Sequence, residues 1–196
     1  MKETRQFFDE PLGGPWRVVE SDETYVGGKA ANRAYSDVVP PKQIVVSLVE
    51  RGGAVRSFHV PNVNSTNLQP IIAKHVHMDS RYITDTSTVS TMLGLPFRGR
   101  HQTVNHSAKE YVRGDVYTNT VEGYFSVLKR GIYGVYQHVS EAHLQRYLTE
   151  FDFRYSNRAK LGIDDVQRTD LAIVGAQGRR LTYRKVGGSR TATASA

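Results

Sequence analysis

Alternation of apolar and polar positions predicts strands early in the chain. The segment "WRVVESDETYVGG", which starts at Trp16, mixes Val and Tyr with polar residues and ends in a Gly-Gly turn, as strands commonly do. The segment "QIVVSLVERGGAVRSFHV" divides into two more strands around a hairpin turn at Gly52 and Gly53. These three strands predict an antiparallel meander.

The following segments alternate between helical and extended patterns. "NLQPIIAKHV" and "TVSTMLGL" predict short helices, and "RYITDTST" and "RHQTVNHS" predict a fourth and a fifth strand. Hairpins followed by strand–helix alternation produce a mixed sheet with helices packed on it. We therefore predict an α/β fold with a ribonuclease-H-like mixed sheet, in which three antiparallel strands come first and helices follow at the C-terminus.

A helix from Asn119 to Tyr136 is predicted to have one apolar and one polar side. At about 100° per residue, the apolar side carries Val121, Phe125, Leu128 and Ile132. The polar side carries Asn119, Glu122, Ser126, Lys129 and Arg130. Ser140 is predicted to cap a further helix over "EAHLQRYLTEFDFRYSNR", and a last helix is predicted within "DDVQRTDLAIVGAQ".

The chain of 196 residues is long enough for one domain with a proper core. Residues 1–15 are predicted to form an extended lead-in, because they end in the breaker cluster "PLGGP". Residues 16–184 are predicted to form the single domain, and residues 185–196, which are small and polar, a disordered tail. A content of 39% hydrophobic and 23% charged residues excludes disorder of the whole chain.

Two classes of protein do not fit this sequence. No apolar run approaches the ~20 residues of a membrane span, and the first residues, "MKETRQFFDEPLGGPW", lack the apolar core of a signal peptide. There is no cysteine, which excludes disulfides and cysteine-based zinc sites in this chain. We therefore expect a cytoplasmic protein with no membrane partner.

The net charge of +7 comes from the second half of the chain. Residues 1–96 carry ten basic and ten acidic residues, whereas residues 97–196 carry 16 basic and 9 acidic ones. Such asymmetry indicates a polyanionic partner, nucleic acid first, although a generally basic, solvated surface is the alternative. The basic residues expected to contact DNA phosphates are Lys129, Arg130, Arg146, Arg154 and Arg158.

Three acidic residues lie where a mixed sheet can bring them together. Asp22 lies within the first strand, on the same face as Glu20 and Thr24. Asp85 ends the fourth strand, and sites in open α/β sheets form at such strand ends. Glu122 lies in the first turn of its helix. Each acid also has a structural alternative: a solvated edge strand, a helix cap and a solvated helix stripe, respectively.

Three stretches carry a resemblance to a known family: "VESDETYVGGK", "HQTVNHSAKEYVRGDVYTNTVEGYFSVLKRGIYGVYQHVS" and "HLQRYLTEFDFRYSNR". They resemble bacterial insertion-sequence transposases with an ISXO2-like transposase domain. The resemblance runs from about Gly13 to Arg184 and is densest from His101 to Arg158. It implies a ribonuclease-H-like catalytic core that cuts and joins DNA with Mg²⁺ or Mn²⁺, with two ions about 3.5–4 Å apart.

The resemblance also implies which residues form the site. The first two acids of the family fall on Asp22 in "SDETYVGG" and Asp85 in "YITDTST". The third falls on Glu122, with Asn119 beside it as a neighbour in the site or as its rival for the metal. The basic residue that follows in the family falls on Lys129, which is expected to contact a phosphate.

Asn105 and His106 in "VNHS" also match the family and are expected to line the site. Members usually carry an N-terminal DNA-binding region with a zinc ribbon, which has no counterpart in this sequence. The predicted function is that of a D-D-E transposase core, a homo-oligomer on double-stranded DNA that associates with the bacterial nucleoid when bound. The alternatives are a truncated remnant that binds DNA or transposase partners without catalysis, and a nuclease acting on RNA–DNA hybrids or structured DNA.

Overall fold

A mixed sheet of five strands forms the centre of the molecule. The computed structural model describes residues 10–27, 41–86, 95–97, 99–105, 108 and 112–177. The strands of the sheet are β1 (Val18–Val26), β2 (Gln43–Glu50), β3 (Val55–Val60), β4 (Arg81–Asp85) and β5 (His101–Val104). Their order is β3-β2-β1-β4-β5. Because β2 is antiparallel to both β1 and β3, the predicted meander is confirmed.

The fourth and fifth strands extend the sheet in parallel. β4 pairs with β1, and β5 pairs with β4, both in parallel register. β1 therefore lies in the middle of the sheet, so the edge-strand explanation for Asp22 is wrong. A chain that enters a parallel strand must first cross a face of the sheet, and helix α1 (Ser65–His75) makes that crossing between β3 and β4.

The remaining elements follow the sheet along the chain. They are a short hairpin of β6 (Val112–Arg113) and β7 (Val116–Tyr117), and the helices α2 (Asn119–Gly131), α3 (Glu141–Ser156) and α4 (Asp165–Ala176). The sequence pattern predicted no element at the hairpin. No helix in the described part of the chain is long and apolar enough to cross a lipid bilayer.

Helices cover both faces of the sheet, and β2 shows how the faces are divided. Val46 and Leu48 pack in one cluster with residues of α1. Val45 and Val49 pack in another with residues of α2 and α3. Because neighbouring strand residues point to opposite faces, α1 lies on one side of the sheet, and α2 and α3 lie on the other.

The helix predicted from Asn119 to Tyr136 departs from the expectation. It is α-helical to Gly131 and continues as a π-helical turn over Ile132–Tyr136. At Gly131 the ring of Phe151 comes so close that a Cβ there would lie 2.2 Å from its Cζ. This close packing against α3, with the weak helix propensity of Gly131 and Gly134, favours the change of winding.

Several predicted segments fall outside the described residues. They are residues 1–9 of the lead-in, all but the last residue of the predicted helix "TVSTMLGL", His106, and residues 178–196, which include the predicted tail. Helix α3 begins after Ser140, as predicted, although the Ser140 side chain makes no capping hydrogen bond.

Candidate active site

The strand register places Asp22 and Asp85 beside each other. In the parallel pair of β1 and β4, Ser21 lies opposite Thr84. The next residue on each strand is one of the two acids. Each carboxylate accepts a hydrogen bond from the N–H of the following residue, at 2.8 Å for Asp22 and 2.6 Å for Asp85. These bonds hold the two side chains at the C-terminal part of their strands.

Helix α2 brings Glu122 to the same place. An open cleft of about 310 Å³ lies between β1 and α2. Of the described residues, those that line it are Asp22, Glu23, Thr24, Glu122, Phe125, Ser126 and Lys129. The four from α2 have the spacing i, i+3, i+4 and i+7, which is one face of a helix. Much of the predicted polar stripe therefore faces the strand that carries Asp22.

The acids repel one another electrostatically. Burial raises the pKa of Asp22 to about 7, against the hydrogen bond from the Glu23 N–H, and the carboxylates of Glu23, Asp85 and Glu122 raise it further. Burial and the Asp85 carboxylate also raise the pKa of Glu23. Carboxylates that influence one another in this way have converged from separate elements, and a cation between them would relieve the repulsion.

The donor set suits a hard divalent cation. Asp22, Asp85 and Glu122 offer carboxylate oxygens, which Mg²⁺ and Mn²⁺ prefer. Among the described residues, no group of three or more acidic, histidine or cysteine side chains is arranged to hold a metal ion. The fit of these three acids to a metal therefore rests on their donor chemistry and shared negative charge.

Glu122 and Asn119 differ in position. Both residues are exposed, but Glu122 lines the cleft, whereas Asn119, at the first position of α2, is not among the described residues that line it. The buried hydroxyl of Thr118 donates to Oε1 of Glu122 at 2.9 Å. Asn105 follows β5, and its side chain accepts a hydrogen bond from the Ala108 N–H at 3.0 Å.

Four of the five basic residues expected to contact DNA lie on α2 and α3, in different surroundings. Lys129 lines the cleft, and Arg130 and Arg146 are exposed on α2 and α3. Arg154 makes an ion pair with Glu150 at 2.7 Å. These side chains belong to the helices on one face of the sheet.

Arg158 differs from the other predicted DNA contacts. It lies beyond the end of α3, so it does not continue the face of Arg146 and Arg154. Its guanidinium donates to the carbonyls of Gly53, at 3.1 Å, and Tyr155, at 2.5 Å. It also lies 3.9 Å from the centre of the Tyr155 ring. These contacts give Arg158 a role in holding the end of α3 against the β2–β3 hairpin.

Sequence reasoning missed Glu20 and its partner Arg51. Glu20 is completely buried beneath the start of α2 and receives a hydrogen bond from Arg51. A signal was available, since Glu20 lies among Val residues on the same strand face as Asp22. A carboxylate in such a position needs partners to offset its burial.

Comparisons with known proteins indicate that this chain is related to transposases. Residues 11–156 match the family model described as the ISXO2-like transposase domain. The chain is also 31% identical over 98 residues to a protein of Haemophilus influenzae named "Uncharacterized transposase-like protein". That alignment covers 50% of this chain and 77% of the relative. The family match extends from before β1 to the end of α3 and so contains the whole cleft.

Proposed function

This chain belongs to the ISXO2-like transposase family, and on that premise we propose that it is the catalytic core of a DNA transposase. The reaction is metal-dependent cleavage of phosphodiester bonds and strand transfer at the ends of an insertion sequence. One observation carries the proposal: Asp22 of β1 and Glu122 of α2 line the same cleft. Asp85 of β4 lies next to Asp22 by strand register.

The order of the strands supports a ribonuclease-H-like fold for this core. The sheet runs β3-β2-β1-β4-β5, with β2 antiparallel to its neighbours. The first acid lies on the central strand, the second at the end of the strand parallel to it, and the third on a later helix. This distribution is what a D-D-E site on such a sheet requires.

Asp22, Asp85 and Glu122 would hold the divalent ions, two Mg²⁺ or Mn²⁺ in the proposed reaction. When bound, such ions activate the attacking oxygen and stabilise the leaving one in an in-line displacement at phosphorus. The attacking group is first water and then a DNA 3′-hydroxyl. The chain itself supplies the carboxylate oxygens, from three elements that the sheet holds in place.

Lys129 is proposed to contact a phosphate of the bound DNA. It lies on the same face of α2 as Glu122, two turns further along, and lines the same cleft. A lysine there offers a compact positive charge beside the acids, which suits a phosphate whose other oxygens lie near metal. The DNA duplex is the partner, and a homo-oligomer assembled on it is part of the proposal.

The test measures cleavage of DNA that carries the flanks of the gene. A supercoiled plasmid with both flanking sequences is incubated with the protein and Mg²⁺ or Mn²⁺, and nicked and joined products are counted. Asp22→Asn, Asp85→Asn and Glu122→Gln should each lower the rate by more than the roughly 10–100-fold typical of losing a group around a metal ligand. Asn119→Ala should retain much more activity than Glu122→Gln, because Asn119 does not line the cleft.

The matched control is Asp164→Asn, which changes a carboxylate at the start of α4, a helix with no residue among those that line the cleft. It should leave the cleavage rate unchanged. Activity that survives Asp22→Asn or Glu122→Gln in a folded protein would contradict the assignment. Wild-type protein that binds the plasmid without cutting it would favour a non-catalytic DNA-binding role, and preferential cutting of an RNA–DNA hybrid would favour a nuclease.

A further inference from the structure

Glu20 is a completely buried carboxylate that accepts hydrogen bonds from three residues, Arg51, Thr120 and Val121. It is the third residue of β1, two residues before Asp22 and on the same face of the strand. The N–H groups of Thr120 and Val121 donate to its Oε2 at 2.8 and 3.0 Å. The Thr120 hydroxyl donates to Oε1 at 2.8 Å, and Arg51 Nε donates to the same oxygen. A buried charge is tolerated when it is paired and hydrogen-bonded in this way.

The donors to Glu20 include backbone N–H groups at the N-terminal end of α2. Thr120 and Val121 are the second and third residues of α2, whose first N–H groups have no partner within the helix. A side chain at the N-cap usually accepts from them. Here the N-cap residue, Thr118, makes no such bond, and its hydroxyl donates to Glu122. Glu20 therefore caps α2 from the neighbouring strand, and Thr118 is left to orient Glu122.

Arg51 ties the segment before α2 to the same carboxylate. It directly follows β2, in the turn to β3, and its side chain is 17% exposed. Its guanidinium donates to the carbonyls of Asp115 and Tyr117, both at 2.8 Å. It also stacks on the Tyr117 ring, 3.6 Å from the centre. The ion pair of Glu20 and Arg51 thus holds both the segment before α2 and the first turn of α2.

We propose that Glu20 is a positioning residue that, together with Arg51 and Thr118, sets the placement of Glu122 relative to Asp22. The inference rests on the proposed function and adds to it the contacts that fix the position of Glu122 relative to Asp22. Along β1, Glu20 is separated from Asp22 by one residue, and the last amide it binds, that of Val121, directly precedes Glu122. Both oxygens of Glu20 are already engaged by protein donors. Glu20 therefore acts through α2 rather than as a ligand of the metal.

The first measurement is the affinity for Mn²⁺, determined by titration calorimetry. Glu20→Gln keeps the shape of the side chain but removes its charge and presents an amide to Arg51. We expect Mn²⁺ binding to weaken by roughly 10–100-fold, the effect typical of losing a group that orients a ligand. Thr118→Val replaces the hydroxyl with a methyl group at the same volume and should weaken Mn²⁺ binding in the same direction by a smaller factor.

The second measurement is hydrogen exchange of the metal-free protein. The amides of Thr120 and Val121 should exchange faster in Glu20→Gln than in wild type, whereas Asp164→Ala should leave them unchanged. Asp164→Ala is matched, because it removes a cap and its capping box from another helix, α4. Thr149→Val is the control for Thr118→Val, since it removes a hydroxyl that donates within α3. Neither control should change Mn²⁺ affinity.

The outcomes separate this inference from the proposed function. Asp22→Asn shows whether Mn²⁺ binds at the proposed site at all. Suppose that Asp22→Asn weakens Mn²⁺ binding, whereas Glu20→Gln and Thr118→Val bind Mn²⁺ as wild type does. The positioning role is then wrong, and the proposed function stands. If Glu20→Gln does not fold, Thr118→Val and its control decide the question. If Asp22→Asn leaves binding unchanged, the metal site is misassigned and the positioning role falls with it.

Discussion

Asp152 joins three elements through one buried side chain. Its Oδ2 accepts from the Ser57 N–H of β3 at 2.7 Å, and its Oδ1 accepts from the hydroxyls of Ser57 and Tyr124, both at 2.7 Å. Burial raises the pKa of Asp152 to about 6, while these hydrogen bonds and the charge of Arg56 act in the opposite direction. The helix that carries Glu122 is therefore fastened to β3 and α3 through a titrating group.

The pH dependence of stability should reveal this group. Its pKa is raised in the folded state, from an ordinary value of 3.8 to about 6. The stability it contributes is therefore fully present below the unfolded pKa and is lost as pH rises through the folded one. Relative to Asp152→Asn, which cannot titrate, wild type should lose up to about 3 kcal/mol of unfolding free energy across that interval.

Urea unfolding of both proteins at a series of pH values measures this difference. Other titrating groups, including Asp22, are common to the two proteins and cancel in the comparison. A difference in unfolding free energy that stays constant with pH would show that Asp152 has the same pKa in both states.

Replacing Lys129 should change the affinity for metal and the affinity for DNA in opposite directions. Lys129→Gln removes a positive charge from the cleft that holds Asp22 and Glu122. Mn²⁺ affinity should rise by roughly 2–5-fold, the size of an exposed charge interaction, because a repelling charge is lost. DNA affinity should fall, because a phosphate contact is lost. Calorimetry with Mn²⁺ and a DNA-binding assay at fixed salt measure the two effects.

The neighbouring cation, Arg130, is the control for this comparison. It is exposed on α2 and is not among the described residues that line the cleft. Arg130→Gln should change Mn²⁺ affinity less than Lys129→Gln does. Equal effects of the two variants would mean that Lys129 acts only through the overall charge of the protein.

At the scale of elements, the contact between α2 and α3 depends on a residue without a side chain. A Cβ at Gly131 would lie 2.2 and 2.5 Å from two carbons of the Phe151 ring. That ring also contacts Tyr136 edge to face, with ring centres 6.1 Å apart. The two helices therefore meet at a spacing that glycine permits, directly before the π-helical turn.

Two glycines of α2 should respond in opposite ways to alanine. Gly131→Ala should destabilise the protein by about 1–3 kcal/mol, the usual cost of overpacking. Gly123→Ala, where a Cβ would meet nothing within 4 Å, should stabilise it by about 0.5–1 kcal/mol through helix propensity. Thermal and urea unfolding compare the two variants with wild type. Stabilisation by Gly131→Ala would show that Phe151 can move away at little cost.

At the scale of the whole molecule, the cations proposed to contact DNA and the acidic cleft lie on the same side of the sheet. Lys129 and Arg130 belong to α2, and Arg146 and Arg154 belong to α3. Both helices pack on the face opposite α1. A DNA duplex held by these side chains would meet the cleft, whereas α1 carries none of them.

The salt dependence of DNA binding tests this division of the surface. Arg146→Ala, on α3, should weaken binding and reduce the slope of log affinity against log salt by about 1, as expected for one lost phosphate contact. Lys74→Ala, on the exposed last turn of α1, should leave both quantities unchanged. Equal effects of the two variants would mean that DNA binds without preference for the α2 and α3 side.

Much of the fold could be predicted from local patterns. Alternation predicted β1, β2 and β3, and helical periodicity predicted α1 and α3. The hairpin of β6 and β7 could not be found in this way, because strands of two residues are too short to show a period. The π-helical turn was also missed, since it follows a contact between Gly131 and Phe151 that no local pattern records.

The candidate site was predictable to the extent that it depends on position within an element. Asp22 in a strand, Asp85 at a strand end and Glu122 on the polar face of a helix could each be chosen from their own segments. Arg158 was expected to lie on the same helix as Arg146, but α3 ends before it. Glu20 was missed because its partners at Thr120 and Val121 are 100 and 101 residues away.

The sequence by itself determined the types of most elements, the face of each that is apolar and the acids available for a site. These properties arise from interactions between residues close in the chain, and so they leave a periodic pattern. The tertiary structure alone decided the neighbours: β4 beside β1, which makes Asp85 adjacent to Asp22, and α2 seated on Glu20, which places Glu122 at the cleft. Such contacts depend on strand order and on the pairing of buried polar groups, which become defined only when distant segments pack together.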